Sequence, residues 1–209
     1  MVDYEKEPMK GTTNVGLLCS DGVIIGAERK ATMGNLIANK EAKKVLKIQD
    51  HLVMSIAGLV GDAQRLAKIL KATTSLYEIE RKKKIKVEAA ATILSNILQN
   101  NKYFPYYVQL LLGGYDSKPA LYSFDAFGSL MEEKSVATGS GSPIAYGVLE
   151  EKYIEGGTIK ENLPVAAQAL KAATERDIYS GGKGFDIAVI TKEGAKFLTE
   201  KEINNLLKK

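Results

Sequence analysis

Hydrophobic and polar positions change period several times along the 209-residue chain, and each period predicts a kind of element. Extended apolar stretches at 12–19 and 23–28, with a turn at 20–22, predict a hairpin of two strands. Two more extended stretches lie near 44–48 and 52–57, so the chain is predicted to open with four strands.

A helical period follows these strands. Gly58 and Gly61 end the extended run, and from Asp62 the apolar residues recur every three to four positions. A second helix is predicted at about 87–100, and Pro105 closes it. The faces predicted to be buried are Leu66, Ile69, Leu70, Thr73, Leu76 and Tyr77 on the first helix, and Ala90, Ile93, Leu94, Ile97 and Leu98 on the second.

The second half of the chain continues in blocks. Strands are predicted at 108–112, 120–124 and 130–138, helices at about 143–153 and 163–178, and a hairpin at 185–191 and 195–198. Thr199 and Glu202 form a capping box that begins a last short helix. Strands and helices do not alternate one by one, which argues against a doubly wound fold. The predicted fold class is α+β: two antiparallel sheets face to face in a four-layer α-β-β-α sandwich, one domain over residues 12–209.

Composition narrows the functional classes. The net charge of +4 is spread over a mixed surface, so no nucleic-acid partner is expected, and the basic run at 81–84 falls where a helix is predicted to end. The sequence contains no run of about 18 apolar residues, the length needed to span a membrane. Residues 1–11 are charged and lack the apolar core of a secretion signal, which predicts a cytoplasmic protein. The single cysteine, Cys19, cannot form an internal disulfide.

Few side chains are available for catalysis. One histidine and one cysteine cannot build a zinc cluster, and His51 is predicted to lie in a surface turn between strands. No phosphate-binding or dinucleotide motif occurs, because the glycine-rich stretch at 139–143 lacks the third spaced glycine. An enzyme with this sequence is therefore expected to work without histidine, metal or cofactor.

The tripeptide Gly11-Thr12-Thr13 offers chemistry that needs none of these. A threonine at a chain end can use its own α-amine as the base for its hydroxyl. The reference pKa of an α-amine is about 7.7–8.0, so a useful fraction is unprotonated near neutral pH. The mechanism requires a cut before Thr12, and glycine at 11 lets the backbone bend toward the hydroxyl. Threonine pairs are also common in ordinary strands, so the tripeptide alone does not decide between the two interpretations.

Lys44 is a second candidate, since a lysine beside a nucleophile lowers the pKa of hydroxyl and amine groups. Alternation would place Lys43 on the other face of the strand, and Glu28 is available as the anionic partner. A charged, exposed strand edge is the competing interpretation. Further candidates are Gly58 as an oxyanion donor, Ser140 as a polar relay or a turn residue, and Asp177, which is unfavourably placed at a helix end near Ser180 and is expected to have a partner.

Taken together, the motifs resemble the proteasome β subunits of the archaeal type. The resembling segments are Thr12-Thr13-Asn14-Val15-Gly16, Ala27-Glu28-Arg29, the segment 57–63, the segment 139–143, Arg176-Asp177, Ser180-Gly181-Gly182 and the segment 186–190. They follow the family's order and spacing from Thr12 to the last helix. Asn14 departs from the family's frequent threonine, a change that a strand tolerates.

The resemblance implies a threonine endopeptidase with the fold of N-terminal nucleophile hydrolases. It implies that residues 1–11 are a propeptide removed by self-cleavage at Gly11–Thr12. The implied catalytic residues are Thr12, Glu28, Lys44, Gly58, Ser140, Asp177 and Ser180. Ala31, Ala42, Leu46, Ile56 and Val60 are implied to line an apolar pocket for the residue before the cut bond.

The resemblance also implies an assembly. β subunits would form seven-membered rings between rings of α subunits, fed with unfolded proteins by a regulatory ATPase. Three alternatives remain open at this point: the bacterial two-component relative of the proteasome, a non-catalytic α subunit, and an N-terminal nucleophile amidase acting on small molecules. An α subunit needs an N-terminal helix, which Pro8 and Gly11 oppose.

Overall fold

The computed structural model describes residues 11–208. The predicted leader lies outside these residues except for Gly11. The elements in chain order are β1 (Asn14–Cys19), β2 (Gly22–Glu28), β3 (Ala31–Met33), β4 (Leu36–Asn39), β5 (Val45–Gln49), β6 (Leu52–Gly58), α1 (Val60–Arg81), α2 (Val87–Asn100), β7 (Val108–Tyr115), β8 (Pro119–Phe124), β9 (Leu130–Glu132), β10 (Ser135–Thr138), α3 (Ser142–Lys152), α4 (Ile159–Arg176), β11 (Phe185–Thr191), β12 (Gly194–Phe197) and α5 (Glu200–Leu207).

Two five-stranded antiparallel sheets form the centre of the fold. The first sheet has the order β10-β1-β2-β11-β12 and the second has the order β5-β6-β7-β8-β9. In the first sheet β1 lies between β2 and β10, with Asn14 opposite both Ala27 and Thr138. The first residues of β1 therefore lie between the ends of two other strands, where several loops can reach them.

Helices cover the outer face of each sheet. The first sheet packs on α3, α4 and α5 through a cluster that includes Ile24, Leu170 and Ile203. The second sheet packs on α1 and α2 through a cluster that includes Leu66 and Leu94. The predicted four-layer α-β-β-α sandwich is confirmed.

Alternation along the strands explains the layer between the sheets. In β2, Ile24 packs on the helical side, whereas Val23, Ile25 and Ala27 belong to the cluster between the sheets. Val53 and Leu111 reach the same cluster from the second sheet. Since successive side chains in a strand point to opposite faces, the central strands are mostly apolar and are buried on both sides.

Several details of the predicted elements are wrong. The chain opens with six strands, because a separate hairpin of β3 and β4 precedes β5. The predicted strand at 130–138 is two strands in different sheets, β9 and β10. Helix α1 begins at Val60, so Gly61 lies in its first turn, and Leu76 on its predicted buried face is 55% exposed.

The prediction of a surface histidine is also wrong. His51 does lie in the turn between β5 and β6, yet it is only 2% exposed to solvent. Its Nε2 atom lies 2.8 Å from the carbonyl oxygen of Ile85, which belongs to the segment between α1 and α2. The basic run at 81–84 is exposed at the end of α1, as predicted.

Cys19 is buried at the end of β1, and burial raises the pKa of its thiol from 9.0 to about 12. The thiol therefore stays protonated at neutral pH. Within residues 11–208, none of the helices is both long enough and apolar enough to cross a membrane.

Candidate active site

Thr12 lies two residues before the start of β1 and is almost completely buried. Its Oγ1 hydroxyl donates a hydrogen bond to the carbonyl oxygen of Gly11, the residue before it. Its backbone N–H donates to Ser140 Oγ at 3.4 Å. The predicted nucleophile and the peptide bond that it would cut are therefore in contact, with Ser140 at the nitrogen of that bond.

Lys44 reaches the same carbonyl from the residue before β5. Its Nζ atom donates to the Gly11 carbonyl oxygen at 3.2 Å and to the Lys30 carbonyl oxygen at 2.5 Å, and it forms a buried ion pair with Glu28. The ammonium thus has three oxygen acceptors although it is nearly inaccessible to solvent. The structure brings Thr12, Lys44 and Glu28 together, as the sequence predicted.

Glu28 ends β2 and is fully buried. Besides Lys44, it accepts backbone N–H groups from Thr13 at 3.3 Å, Lys30 at 2.6 Å and Gly181 at 2.9 Å. These contacts compensate the cost of burying a carboxylate. They also fix the direction in which the carboxylate presents its charge to Lys44.

Burial and charge act against each other in this pair. Burial lowers the pKa of Lys44, and the carboxylate of Glu28 opposes that shift. Burial likewise raises the pKa of Glu28, and the ammonium of Lys44 together with the backbone donors opposes it. Each group therefore depends on the other to stay charged.

Asp177, Ser140 and Ser180 form a polar chain beside Thr12. Asp177 caps the end of α4, and its Oδ2 atom accepts from Ser140 Oγ at 2.6 Å and from Ser180 Oγ at 2.5 Å. Because Ser140 gives its proton to Asp177, its oxygen is free to accept the N–H of Thr12. The expectation that Asp177 has a specific partner is confirmed.

Thr13 joins this chain from the other side, with its Oγ1 atom 2.6 Å from Ser180 Oγ. Sequence reasoning did not assign a role to Thr13, to the carbonyl of Lys30 or to the amide of Gly181. A contact made by a backbone carbonyl or amide does not constrain the residue type, so it cannot be read from the sequence. Of the three, only Thr13 could have been suspected, because it is adjacent to the candidate nucleophile.

Gly58 ends β6 and adopts φ +102°, a conformation that glycine adopts readily. A Cβ at this position would lie 2.1 Å from the carbonyl oxygen of Tyr107, so the backbone at 107–108, where β7 begins, approaches too closely for a side chain. Gly58 borders the same cavity as Thr12, Gly11 and Lys44. The sequence-based oxyanion candidate thus lies at the nucleophile.

Four of the five predicted pocket residues line this cavity: Ala31, Ala42, Ile56 and Val60. Leu46 is not among the lining residues, because its side chain packs against the cluster between the second sheet and its helices. Thr32 and Lys43 also border the cavity and were not predicted. The wall of the cavity is thus mainly apolar, with polar groups at Thr12, Thr32, Lys43 and Lys44.

The α-β-β-α sandwich with this arrangement is the fold of the N-terminal nucleophile hydrolases. The family model described as "Proteasome subunit" matches residues 9–190. The chain is 52% identical over 204 residues to a "Proteasome subunit beta" of Methanocaldococcus vulcanius, covering 96% of this chain and 91% of that protein. It is 50% identical over 202 residues to the "Proteasome subunit beta" of Methanobrevibacter smithii, covering 96% and 97%. The chain belongs to the proteasome subunit family, among the archaeal β subunits.

Proposed function

We propose that this chain is a catalytic β subunit of a proteasome core particle and a threonine endopeptidase with Thr12 as its nucleophile. One observation carries the proposal: the Gly11 carbonyl oxygen receives both the Thr12 hydroxyl and the Lys44 ammonium. The hydroxyl is thus next to the bond that it would attack, and the buried cation lies where negative charge would develop on the carbonyl oxygen. Family membership supports the coarser conclusion that the chain is a protease subunit.

The first reaction is self-cleavage between Gly11 and Thr12, which releases residues 1–11 as a propeptide. Thr12 Oγ1 gives its proton to a solvent water molecule and attacks the Gly11 carbonyl carbon, forming a five-membered ring. The C–N bond then breaks, the nitrogen takes up a proton to become an amine, and Gly11 is left as an ester on Oγ1. Water hydrolyses the ester, giving a Gly11 carboxylate and a free Thr12 hydroxyl.

The second reaction cuts substrate with the same hydroxyl. The new α-amine accepts the hydroxyl proton as Oγ1 attacks the substrate carbonyl, and it passes a proton to the departing amine. Water then hydrolyses the acyl ester and frees Thr12. Ser140, held by Asp177, is placed to orient the amine because it already contacts that nitrogen.

Lys44 and Gly58 supply the electrostatic part of both reactions. The charge of Lys44 favours the deprotonated hydroxyl and amine of Thr12, and Glu28 keeps Lys44 charged in a buried place. The backbone amide of Gly58 is the proposed donor to the oxyanion. Ser180 and Asp177 complete the support through their bonds to Thr13 and Ser140.

The pocket wall predicts a preference for large apolar residues before the cut bond. No carboxylate is among the cavity's lining residues within 11–208, so an arginine would enter without a partner. Burying an unpaired charge costs several kcal/mol, whereas an apolar side chain gains about 25 cal/mol per Å² removed from water. We expect cleavage after leucine, phenylalanine or tyrosine to be roughly 10- to 100-fold faster in kcat/KM than after arginine.

A panel of fluorogenic peptides that differ only at this position measures the preference. Ile56 is buried in the wall and Val60 is 45% exposed at its rim, so Ile56→Ala should weaken the preference more than Val60→Ala. Faster cleavage after arginine or glutamate than after leucine would show that the pocket is elsewhere. Glutamate is the more demanding comparison, because the exposed Lys43 borders the cavity and could pair with a glutamate but not with an arginine.

The exposed apolar residues support assembly into rings. Five aromatic residues near the ends of α1 and α2 are candidates for the interface: Tyr103 and Phe104 are 83% and 90% exposed, and Tyr77, Tyr106 and Tyr107 are partly buried. The proposed assembly has β subunits in seven-membered rings, stacked with α-subunit rings and served by a regulatory ATPase that delivers unfolded proteins in the cytoplasm. No nucleic-acid or membrane partner is part of the proposal.

Native mass spectrometry of the chain, alone and with an α-subunit partner, tests this assembly. We expect ring-sized particles, and Phe104→Ala together with Tyr103→Ala should weaken them because each removes exposed apolar area from the interface. The double change Lys82→Ala and Lys83→Ala, on the exposed segment between α1 and α2, is a control for general surface effects. A strictly monomeric chain that cleaves peptides at micromolar concentration would contradict the proposal.

A further inference from the structure

The loop that carries Ser140 is held from the opposite sheet. Gln109 lies on β7 of the second sheet, and its Oε1 atom accepts the backbone N–H of Gly139 at 2.9 Å. Gly139 follows β10 of the first sheet and precedes Ser140. The contact therefore joins the two sheets at the residue next to the polar chain of Thr12.

The position of Gln109 on its strand makes this contact possible. Leu110 packs on the helical side of the second sheet, and Leu111 belongs to the cluster between the sheets. By alternation Gln109 shares the inner face with Leu111, so its side chain points toward the first sheet. It pairs with Ala57, next to Gly58, which places it at the active-site end of the strand.

Gly139 in turn touches the nucleophile. It adopts φ +91°, and a Cβ there would lie 2.1 Å from the carbonyl oxygen of Thr12. The backbone of Thr12 and the loop thus fit without space for a side chain, and the N–H of Gly141 also points to that carbonyl at 3.4 Å. A displacement of Gly139 would move Ser140 away from the nitrogen of Thr12.

A second side chain holds the neighbouring residue. Asn14, fully buried on β1, donates from Nδ2 to Thr138 Oγ1 at 3.1 Å. Residues 138 and 139 are therefore held by side chains from both sheets. The Asn14–Thr138 hydrogen bond lies within the first sheet, whereas the Gln109–Gly139 hydrogen bond links the loop to the second sheet, which carries Gly58.

We propose that Gln109 is a positioning residue for the reaction, fixing the loop at 139–141 so that Ser140 meets the Thr12 nitrogen while Gly58 faces the same cavity. This inference rests on the proposed threonine mechanism. Within residues 11–208 the Gln109 side chain accepts the N–H of Gly139, and we expect it to act through that residue and not by contact with substrate. Its loss is expected to affect the rate of the chemical steps and to leave the apolar pocket intact.

Two substitutions test the inference. Gln109→Met keeps the size and removes the acceptor oxygen, and we expect kcat to fall about tenfold with KM unchanged within about twofold. Removal of the propeptide should slow by a similar factor, measured by intact mass over time. Gln109→Glu keeps an acceptor for the Gly139 N–H, and we expect it to recover most of the lost kcat.

Gln49→Met is the matched control. Gln49 also makes side-chain hydrogen bonds, to Thr74 and Ser75 of α1, but it lies opposite Leu52 at the other end of the sheet. We expect wild-type kcat and KM. Five strand positions, from Leu52 to Ala57 on β6, separate the partners of the two glutamines, or about 17 Å along the strand.

The inference is overturned if Gln109→Met has wild-type kcat, if KM rises instead, or if Gln109→Glu is as slow as Gln109→Met. Should Gln109→Met fail to assemble, Gln109→Asn, which stays polar but is one methylene too short, takes its place with the same expectations. Thr12→Ala, measured in parallel, separates the two proposals. An active Thr12→Ala chain refutes the mechanism itself, whereas an inactive one beside a fully active Gln109→Met refutes only the positioning role.

Discussion

Replacement of Lys44 by alanine is expected to lower peptide hydrolysis by about 10²–10³-fold, the loss typical of removing one preorganised electrostatic contact. The change removes the cation that contacts the Gly11 carbonyl oxygen, and with it the charge that favours the reactive form of Thr12. Self-cleavage should slow in parallel, because both reactions use the same hydroxyl. Peptide hydrolysis and intact mass, followed over time, measure the two effects.

Lys44→Ala leaves Glu28 buried without its cation, which could cost stability. Since burial already raises the pKa of Glu28, the carboxyl group can take up a proton, and its backbone donors remain. We therefore expect a folded chain, to be checked by native mass. Lys43→Ala is the matched control: Lys43 is exposed at the cavity border, and a change of a few-fold at most is expected. Equal losses from both changes would mean that the wrong lysine has been assigned.

Thr12→Ala is expected to abolish hydrolysis, with a loss of more than about 10⁴-fold, because every step of both reactions passes through Oγ1. Thr12→Ser is the matched control, since it keeps the hydroxyl and loses only a methyl group. We expect the serine chain to cleave itself and to hydrolyse peptides at a reduced rate. An inactive serine chain that folds and assembles would argue that the threonine is structural.

Most of the fold could be predicted because each main strand or helix keeps one hydrophobic repeat along its length. Phe185–Thr191 and Val87–Asn100 have the predicted bounds, and the capping box of Thr199 and Glu202 begins α5 as expected. The hairpin of β3 and β4 was missed because its residues are mostly exposed, so no buried face imposes an alternation. Where burial does not select residue types, the pattern carries no signal.

The division of residues 130–138 was missed for a different reason. The chain leaves the second sheet where Glu133 N–H donates to Leu121, and it enters the first sheet where Lys134 accepts from Leu18. Only residues 133–134, with a bend at Lys134, interrupt the extended conformation, too short a break to change the hydrophobic period. Only tertiary pairing separates the two strands.

In the candidate site, too, residues with reactive side chains could be predicted from the sequence, whereas contacts between distant segments could not. Thr12, Glu28 and Lys44 carry chemistry in their side chains and were found, partly through the family resemblance. The Lys30 carbonyl, the Gly181 amide and the Gln109–Gly139 contact depend on how distant loops meet. Leu46 is not among the residues lining the cavity, because its orientation follows the packing of β5 on α1 and α2.

Self-cleavage by Thr12 is the central claim, and intact-mass spectrometry of the purified wild-type and Thr12→Ala chains tests it most directly. The wild-type chain should have the mass of residues 12–209, and the Thr12→Ala chain should keep residues 1–11. A Thr12→Ala chain that begins at residue 12 would show that another agent makes the cut, and a wild-type chain that keeps residues 1–11 within an active particle would contradict an N-terminal threonine nucleophile.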